Sequence, residues 1–234
     1  MKTVEWDSNF YKKKIGKISI VNQTVKEFVC EIENARENNF DLIYVFVEDK
    51  NVPIEDYLKR HSQCFDEKVV YVKPIDSSAD KPSKVFVYDG PANEQLIHLG
   101  FEAGKFSRFG IDPRLSPYFK TMYKLWIENS INKSFADFLI CKYSESEPQI
   151  ITSFVTGKAD GNVGRIGLIA TNPLYQGKGI GREIMKASEY HFLQSGAVDI
   201  EVATQLENKI ACAFYSSIGF KIKTITPIYH YWLK

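Results

Sequence analysis

A glycine-rich stretch in the second half of the chain, residues 176–181, limits what this sequence can fold into. An apolar run at 166–169 predicts a short strand before it, and apolar residues repeat from Ile180 onward with the spacing of a helix. Glycines at 177, 179 and 181 remove the Cβ atoms that would keep a ligand away from the backbone. Several N–H groups can therefore bind one anion at the positive end of the helix dipole. The stretch predicts a strand–loop–helix unit that binds a phosphate or pyrophosphate.

Two better-known glycine loops do not fit these residues. A P-loop requires Gly-x-x-x-x-Gly-Lys-Ser/Thr, but Asn172 stands at the first glycine position and Gly179 follows the Gly-Lys pair. A dinucleotide-binding fingerprint requires a third glycine where this chain has Arg182. The stretch does match Gln-x-x-Gly-x-Gly, at Gln176, Gly179 and Gly181. In this it resembles the acetyl-CoA pyrophosphate loop of the GNAT superfamily of N-acetyltransferases.

A second pattern follows at the spacing that this resemblance requires. Residues 198–204 alternate like a strand, and residues 208–220 read Asn-x-x-Ala-x-x-Phe-Tyr-x-x-x-Gly-Phe, a short helix closed by Gly219. This is the second GNAT signature. The resemblance implies that Tyr215 is the general acid for the leaving CoA thiolate and that Asn208 binds the pantetheine arm. A tyrosine, with a pKa of about 10, can protonate a thiolate whose thiol has a pKa of about 8.5 only where burial or hydrogen-bond partners favour the transfer.

The resemblance also implies which residues hold acetyl-CoA, the expected co-substrate. Backbone N–H groups of the apolar strand would bind pantetheine and polarise the thioester carbonyl, as a splayed strand does in the superfamily. The glycine loop would bind the pyrophosphate. The expected cofactor-binding residues are Leu168, Ile169, Ala170, Gln176, Gly177, Lys178, Gly179, Ile180, Gly181 and Asn208.

The general base is less constrained by the sequence. The acceptor amine must lose a proton before it attacks, and Glu201, or a water chain through Glu207, could accept that proton. Glu201 alternates with apolar neighbours, so it could equally occupy the solvent face of a strand, and an amine that binds in its neutral form needs no base. The four cysteines and four histidines show no metal-ligand spacing, so we expect no metal.

The order of predicted elements indicates an α/β (α+β) chain in two parts. Residues 105–234 are predicted as helix, three strands, helix, strand, helix and strand, which suits a GNAT fold with a mixed, largely antiparallel central sheet. Residues 1–104 alternate helical and strand patterns and are interpreted as a smaller N-terminal α/β domain that contributes to the acceptor site. Within it, Thr24 and Glu27 predict a capping box, Asp89 is predicted to cap a helix that ends near Gly100, and the polar segment 74–83 is predicted to be an exposed loop.

Further residues narrow the resemblance to one family. Trp-Asp-Ser-x-Phe at 6–10 and Ser-Arg-Phe-x-x-Asp at 107–112, leading into Tyr123 and Trp126, are similar to dTDP-fucosamine acetyltransferases. That family acetylates the 4-amino group of dTDP-4-amino-4,6-dideoxygalactose for cell-surface polysaccharide. The resemblance therefore implies a nucleotide-linked amino sugar as acceptor, with Arg108 and Phe109 as candidate substrate-binding residues. The same aromatic residues also fit simple core packing.

The composition is that of an ordinary globular protein. A net charge of +1, with 44% hydrophobic and 25% charged residues, argues against a nucleic-acid partner. The N-terminus lacks the apolar core of a secretory signal, and no apolar run approaches the roughly 20 residues of a membrane span, so we expect a cytoplasmic protein without membrane insertion.

Several alternatives stay open at this point. The aromatic terminal strand at 228–233 could pair between two chains and form a homodimer. The acceptor could be a protein N-terminus or a small amine, and the donor could carry a longer acyl group. The chain could also be a CoA-binding module without catalysis, although the presence of Tyr215 argues against that interpretation.

Overall fold

The computed structural model of the protein describes residues 1–77 and 82–234. Its strands, in chain order, are β1 (Lys2–Thr3), β2 (Ile15–Ile20), β3 (Leu42–Val47), β4 (Gln63–Pro74), β5 (Phe86–Val87), β6 (Phe138–Tyr143), β7 (Ile151–Asp160), β8 (Val163–Thr171), β9 (Asp199–Gln205) and β10 (Lys221–Trp232). Its α-helices are α1 (Glu5–Tyr11), α2 (Val25–Glu37), α3 (Val52–His61), α4 (Glu94–Gly104), α5 (Arg108–Ile111), α6 (Phe119–Ile131), α7 (Ile180–Gln194) and α8 (Lys209–Ser217). Of the loop predicted at 74–83, residues 78–81 lie outside the described residues.

These elements form two compact units, neither of which is continuous in sequence. The first comprises Met1–Val69, Gln205–Glu207 and Thr224–Lys234, and the second comprises Val70–Thr204 and Asn208–Lys223. Strands β4 and β10 therefore contribute residues to both units. The predicted domain boundary at residue 104 stays a prediction, and α4 lies within the second unit.

The first unit is an α/β structure built on parallel strands β2 and β3, which α2 connects. Strand β1 pairs antiparallel with β2, and β10 pairs antiparallel with β3. The predicted capping box is confirmed, because the Thr24 hydroxyl accepts the N–H of Glu27 and the Glu27 carboxylate accepts the N–H of Thr24. Phe28 and Ile32 of α2 are fully buried in one core with residues of β2, β3, α3 and β10. This packing holds the helix on the sheet.

The aromatic terminal strand does not lie at an edge of the first unit. Residues from Ile228 to Trp232 pair with residues from Phe46 to Leu42 of β3, and β4 follows β10 on its other side in the strand order. Tyr229, His230 and Tyr231 are buried. The strand is therefore not available to pair with a second chain, and a homodimer, which stays a prediction, would need another surface.

The second unit carries the sheet that the two sequence signatures belong to. Strands β5 to β8 are antiparallel neighbours, β8 and β9 are parallel, and β4 lies beside β9. Strands β6 and β7 form an antiparallel hairpin, and the order of elements from α6 to β10 is the predicted one. The mixed, largely antiparallel sheet is confirmed.

Helix α4 begins later than the sequence analysis predicted. Its N-cap is Asn93, whose side chain accepts the N–H of Leu96 at 3.0 Å, and the helix continues to Gly104 instead of ending near Gly100. The predicted cap at Asp89 is wrong because residues 88–93 lie in a loop before the helix, in which the Tyr88 hydroxyl donates to the carbonyl of Pro91 and accepts from the Asn93 side chain.

Helices cover the two faces of this sheet. Helix α7 packs on β6, β7 and β8, and Cβ atoms added at Gly157 and Gly164 would clash with the ring of its Phe192. Because neighbouring residues of a strand point to opposite faces, Arg165 on β8 faces away from α7. Helix α4 packs on β7 and β8 and takes this opposite face. The sheet therefore has an α7 side and an α4 side.

Candidate active site

Strand β8 contains a β-bulge that includes Leu168, the first of the strand residues predicted to bind acetyl-CoA. The β7–β8 register shifts between Val155 and Gly157, so that Gly167 and Leu168 stand opposite Thr156 alone. The Thr156 hydroxyl accepts the N–H of Leu168 at 2.8 Å, and a Cβ at position 167 would lie 2.9 Å from that oxygen. A side chain at position 167 would therefore displace the Thr156 hydroxyl that holds the bulge. A lone glycine inside a strand pattern is a known bulge signal that the sequence analysis did not use, whereas nothing in the sequence marked Thr156.

Strands β8 and β9 pair with each other only over their first halves. Their parallel register runs from Val163 opposite Asp199 to Ile166 opposite Val202, whereas β8 continues to residue 171 and β9 runs beyond residue 202. The carboxyl halves of the two strands are therefore not hydrogen-bonded to each other. In sheets with parallel strands, ligands bind at the carboxyl ends of the strands. The glycine loop follows β8 and α8 follows β9, so both sequence signatures belong to this unpaired end.

Two of the loop glycines are required by backbone conformation. Gly177 and Gly179 have φ values of 75° and 82°, and an added Cβ at either position would meet no atom within 4 Å. Gly179 is the N-cap of α7, whose first-turn N–H groups have no acceptor within the helix. A pyrophosphate fits this exposed arrangement of N–H groups, because no side chain covers the two glycines.

Other residues of the loop hold it against the rest of the unit. The Gln176 side chain donates to the carbonyl of Thr171 at 3.1 Å, and Ile180, the first residue of α7, is buried. A Cβ on Gly181 would lie 3.1 Å from the ring of Phe214, so this glycine permits α7 and α8 to approach closely. This glycine thus serves packing between the helices, and its predicted role in binding the cofactor stays a prediction.

The charges around the loop favour an anionic ligand. The Lys178 ammonium lies 4.9 Å from the centroid of the Tyr175 ring, and Arg182 donates to the hydroxyl of Ser217 at 3.1 Å. Glu183 lies in the first turn of α7, where its charge would compete with a bound anion. Its carboxylate, however, forms an ion pair at 2.6 Å with Lys142, whose side chain is only 5% exposed. Because Lys142 compensates the charge of Glu183, the positive end of α7 is available to an anionic ligand.

Helix α8 brings two predicted residues to the same end of the sheet. The oxygen of the Asn208 side chain caps the helix by accepting the N–H of Ala211 at 3.2 Å, which leaves its NH₂ group as a donor. Tyr215 is 4% exposed, and its ring lies 5.5 Å from that of Tyr71 and 5.9 Å from that of Phe220. Burial raises the pKa of Tyr215, so the hydroxyl keeps its proton at neutral pH.

Tyr71 is a site residue that the sequence analysis missed. It lies on β4, far from both signatures, and is buried beside Tyr215. Burial raises the pKa of Tyr71, and its hydroxyl lies near the side chains of Cys212 and Ser216 on α8. Tyr71 therefore helps to fix the orientation of that helix. No motif marked this residue, because the contact joins segments that are distant in the sequence.

Glu201 is held between two cations. Its carboxylate lies 2.5 Å from the ammonium of Lys223 and 3.4 Å from Nε of Arg165, and its side chain is 12% exposed. A proton on this carboxylate would weaken both ion pairs. These contacts are typical of a structural ion pair, and a role for Glu201 as general base stays a prediction.

The predicted substrate-binding pair lies on α5. Phe109 is buried and packs edge-on against Trp126, with ring centroids 5.8 Å apart, and the guanidinium of Arg108 lies 4.2 Å from the centroid of the Phe109 ring. The ring of Phe109 is therefore part of the core, as the packing alternative allowed. Substrate binding by Arg108 and Phe109 stays a prediction.

Residues 1–77 and 82–234 contain neither a candidate metal site nor a helix that could span a membrane. This part of the chain contains no group of three or more His, Cys, Asp or Glu side chains arranged to hold a metal ion. None of its helices combines the length and the apolar character that crossing a membrane requires.

The segment that contains the loop, the bulge and α8 also matches a known family. Residues 108–220 match the model of the Acetyltransferase (GNAT) family. The chain carries a GNAT acetyltransferase domain. This match confirms the GNAT domain that the two sequence signatures predicted. The matched segment begins at α5, so α4 and Tyr71 lie outside it.

Solved structures with low sequence identity share the GNAT fold. A conserved protein of unknown function from Staphylococcus epidermidis is 13% identical with a TM-score of 0.60, over 94% of this chain and 84% of that one. A GCN5-related N-acetyltransferase from Sphaerobacter thermophilus is 11% identical with a TM-score of 0.51, over 88% of this chain. A GCN5-related glucosamine N-acetyltransferase region of a fungal multi-domain β-N-acetylglucosaminidase is 14% identical with a TM-score of 0.55, over 93% of this chain and 30% of that one. Identities this low show the fold alone.

The chain is shorter than some of the proteins that it matches. It spans 65% of the Sphaerobacter thermophilus chain. An uncharacterised protein of Mycobacterium leprae is 39% identical over 62 residues, which are 26% of this chain and 16% of that protein.

Proposed function

We propose that this protein transfers the acetyl group of acetyl-CoA to a primary amine. The observation that carries the proposal is the end of β8, where Gly177 and Gly179 leave the N-terminus of α7 uncovered beside the unpaired halves of β8 and β9. A pyrophosphate suits such a helix N-terminus, and an extended pantetheine arm suits a strand edge that has no partner. The family match of residues 108–220 supports the same chemistry.

Residues of the loop, β8 and α8 would hold acetyl-CoA, which when bound supplies an acetyl group activated as a thioester. The N–H groups of residues 177–181 would bind the pyrophosphate. Since the N–H of Leu168 already donates to Thr156, the backbone of Ile169 and Ala170 would bind the pantetheine arm and polarise the carbonyl. Asn208 would donate to the arm through its side-chain NH₂ group.

Tyr215 would act as the general acid of the reaction. The amine nitrogen bonds to the carbonyl carbon, the C–S bond breaks with its electron pair on sulfur, and Tyr215 gives its hydroxyl proton to that sulfur. The amine loses one proton in the same reaction, which restores the hydroxyl through solvent. Because burial raises the pKa of Tyr215, the hydroxyl donates only to a strong base, such as a thiolate that forms away from water.

As acceptor we propose the 4-amino group of a dTDP-linked 4-amino-4,6-dideoxy sugar, used in the cytoplasm for cell-surface polysaccharide. The residues at 6–10 and 107–112 support this acceptor by their resemblance to dTDP-fucosamine acetyltransferases. The fungal protein of similar fold, described as a glucosamine N-acetyltransferase region, acts on an amino sugar. Helix α4, which belongs to the predicted N-terminal domain, packs on β8 opposite α7 and would line the side from which an acceptor approaches.

The test is thiol release from acetyl-CoA with a panel of dTDP- and UDP-linked amino sugars. We expect turnover with a dTDP-4-amino sugar, and a loss of more than about tenfold in Tyr215→Phe, equivalent to about 1.4 kcal/mol of transition-state stabilisation. Tyr190→Phe, at a half-buried tyrosine of α7, is the matched control and should keep full activity. Turnover with a peptide N-terminus or a simple amine, but with no sugar, would overturn the acceptor alone. Binding of acetyl-CoA without thiol release to any amine would overturn the enzyme.

A further inference from the structure

A pocket of about 380 Å³ opens on the α4 side of the sheet in the second unit. It lies between the connection from α6 to β6 and the β7–β8 hairpin. Its lining includes Phe135, Thr156, Lys158, Asp160, Arg165 and Gly167. No residue of the glycine loop or of α8 contributes, so the pocket is separate from the residues proposed to hold acetyl-CoA.

The floor of the pocket is the bulge of β8. Thr156, whose hydroxyl accepts the N–H of Leu168, lines the pocket together with Gly167, which is exposed. Because residue 167 has no Cβ, a group in the pocket can approach the backbone of β8 directly. Ile169, proposed to hold the thioester, is two residues further along, about 7 Å at the rise of a strand. The pocket thus reaches the proposed reaction centre from the side opposite α7.

The walls combine one aromatic ring with paired charges. Phe135 is 37% exposed, and Arg165 forms ion pairs with Asp160 and Glu201. The carboxylates compensate the cations, so the pocket favours neither kind of ion. Asp160 would repel an anionic ligand, and Arg165 and Lys158 would repel a cationic one. A guanidinium has five N–H donors and a carboxylate about four acceptor sites, so both groups can still bond hydroxyls while paired. The ring offers a surface for an apolar C–H face.

Hydrogen bonds hold these walls in place. The N–H groups of Ser134 and Phe135 both donate to the carbonyl of Asn129, at 2.9 and 3.0 Å. The N–H of Asp137 donates to the carbonyl of Gly157 at 2.8 Å, and its carboxylate accepts the N–H of Ala159 at 2.7 Å. The connection from α6 is therefore fixed to both α6 and β7. A ligand would enter a pocket that is already formed, which lowers the entropic cost of binding.

We propose that this pocket binds the sugar ring of the acceptor, with the amine directed to the bulge at Gly167. The inference rests on the proposed acetyl transfer and identifies where that reaction takes its second substrate. Small-molecule sites span about 300–1,000 Å³, so a pocket at the lower end suits one pyranose ring and not a whole nucleotide sugar or a peptide. Phe135 covers the apolar face of the ring, and Arg165 and Asp160 bond its hydroxyls. The nucleotide lies outside the pocket.

The experiment uses direct binding as well as turnover. The backbone amide resonances of Gly157 and Gly167 are followed by NMR while 4-amino-4,6-dideoxygalactose, or 6-deoxygalactose without the amine, is added. We expect both sugars to shift these resonances in the wild type, and 6-deoxygalactose to compete with the amino sugar for turnover. In Phe135→Ala we expect the KM of the amino sugar to rise at least about tenfold, while the KM of acetyl-CoA is unchanged.

Two further variants make the result specific. Phe86→Ala removes an aromatic ring on β5 that is 55% exposed and does not line the pocket, so it should behave as the wild type. Asp160→Asn keeps the shape of an exposed wall residue but removes its charge, and should also raise the KM of the amino sugar. If the sugar is turned over but the resonances of Gly157 and Gly167 do not shift and Phe135→Ala has no effect, the pocket does not bind the sugar. The proposed acetyl transfer would stand in that case. Sugar binding in the pocket without thiol release would overturn both the transfer and the role of the ring as its acceptor.

Discussion

Glycines a few positions apart in the loop meet different physical demands. At Gly177 and Gly179 the backbone adopts positive φ in open space, so a side chain would strain the chain without touching a neighbour. At Gly181 the ring of Phe214 lies 3.1 Å from the position of an added Cβ, so the demand comes from packing between helices. The glycines of one loop therefore serve two purposes: two of them leave the backbone open to a ligand, and the third lets α8 approach α7.

Substitutions at Gly179 and Gly196 together distinguish backbone strain, which both positions share, from CoA binding, which involves only Gly179. Both glycines have φ of 82° and no atom within 4 Å of an added Cβ, so Gly179→Ala and Gly196→Ala should each lower the free energy of unfolding by about 1 kcal/mol. Only Gly179→Ala places a methyl group over the proposed pyrophosphate site, and we expect its dissociation constant for CoA to rise about tenfold. Urea unfolding and calorimetric titration with CoA measure the two effects. Equal CoA affinity in both variants would contradict the proposed site.

The pH dependence of turnover tests the protonated state of Tyr215. Burial raises its pKa above the usual value of about 10, so the hydroxyl that donates is present at every lower pH. We expect kcat to rise with pH as the acceptor amine loses its proton, and to show no basic limb below about pH 10. Tyr215→Phe should lower kcat at every pH without changing the shape of its pH profile. A fall of the wild-type kcat well below pH 10 that is absent from Tyr215→Phe would show that Tyr215 titrates in the working range.

At the scale of the element, the bulge of β8 gives the site its geometry. It puts Gly167 and Leu168 opposite Thr156, and the ladder between β8 and β9 stops at Ile166. An extra residue in one strand changes the local twist and re-aims the residues after it. The strand can therefore pair with β7 on one side while its last residues are left for a ligand on the other.

Thr156→Val tests the bond that holds this bulge. Valine has nearly the volume of threonine but leaves the N–H of Leu168 without its acceptor in a buried place, so we expect a loss of about 1–3 kcal/mol in the free energy of unfolding. Thr156→Ser keeps the hydroxyl and should lose less. Because the bulge orients Ile169 and Ala170, kcat should fall more in the valine variant than in the serine variant. Equal kcat and equal stability in the two would show that the bulge does not need this hydrogen bond.

At the scale of the whole molecule, neither unit can form from one continuous stretch. The first unit requires the last eleven residues, Thr224–Lys234, to return and pair with β3 near the N-terminus. These residues bring Ile228, Tyr229 and Tyr231 into its interior. The two ends of the chain therefore stabilise the same core.

Truncation after Lys223 should unfold the first unit. Each buried large apolar side chain contributes about 1.5–3 kcal/mol, so losing Ile228, Tyr229 and Tyr231 removes stability comparable to the 5–15 kcal/mol of a typical domain. It also exposes the edge of β3, a hazard for aggregation. Removal of Lys234 alone is the control and should cost little. Loss of the cooperative urea transition of the first unit, or aggregation, is the expected outcome, and an unchanged transition would contradict it.

Much of the candidate site followed from short stretches of sequence. The strand, the glycine loop and the start of α7 could be predicted because periodicity and turn chemistry act over a few residues, and the capping box of Thr24 and Glu27 was predicted for the same reason. The cap of α4 was misplaced at Asp89, whereas the cap is Asn93, whose side chain also donates to the hydroxyl of Tyr88. A side-chain hydrogen bond of that kind does not produce a periodic pattern in the sequence, so it could not be predicted.

By itself the sequence determined the order of elements, the glycine loop and the helix of Tyr215, since each depends on residues that are neighbours along the chain. Only the tertiary structure decided that Thr156 lies opposite Gly167, that Tyr71 lies beside Tyr215, and that Glu201 is held by Lys223. These contacts join segments that are distant in sequence. Strand register and helix packing set them by burying side chains from the whole unit at once, and no local pattern records which partner each side chain will meet.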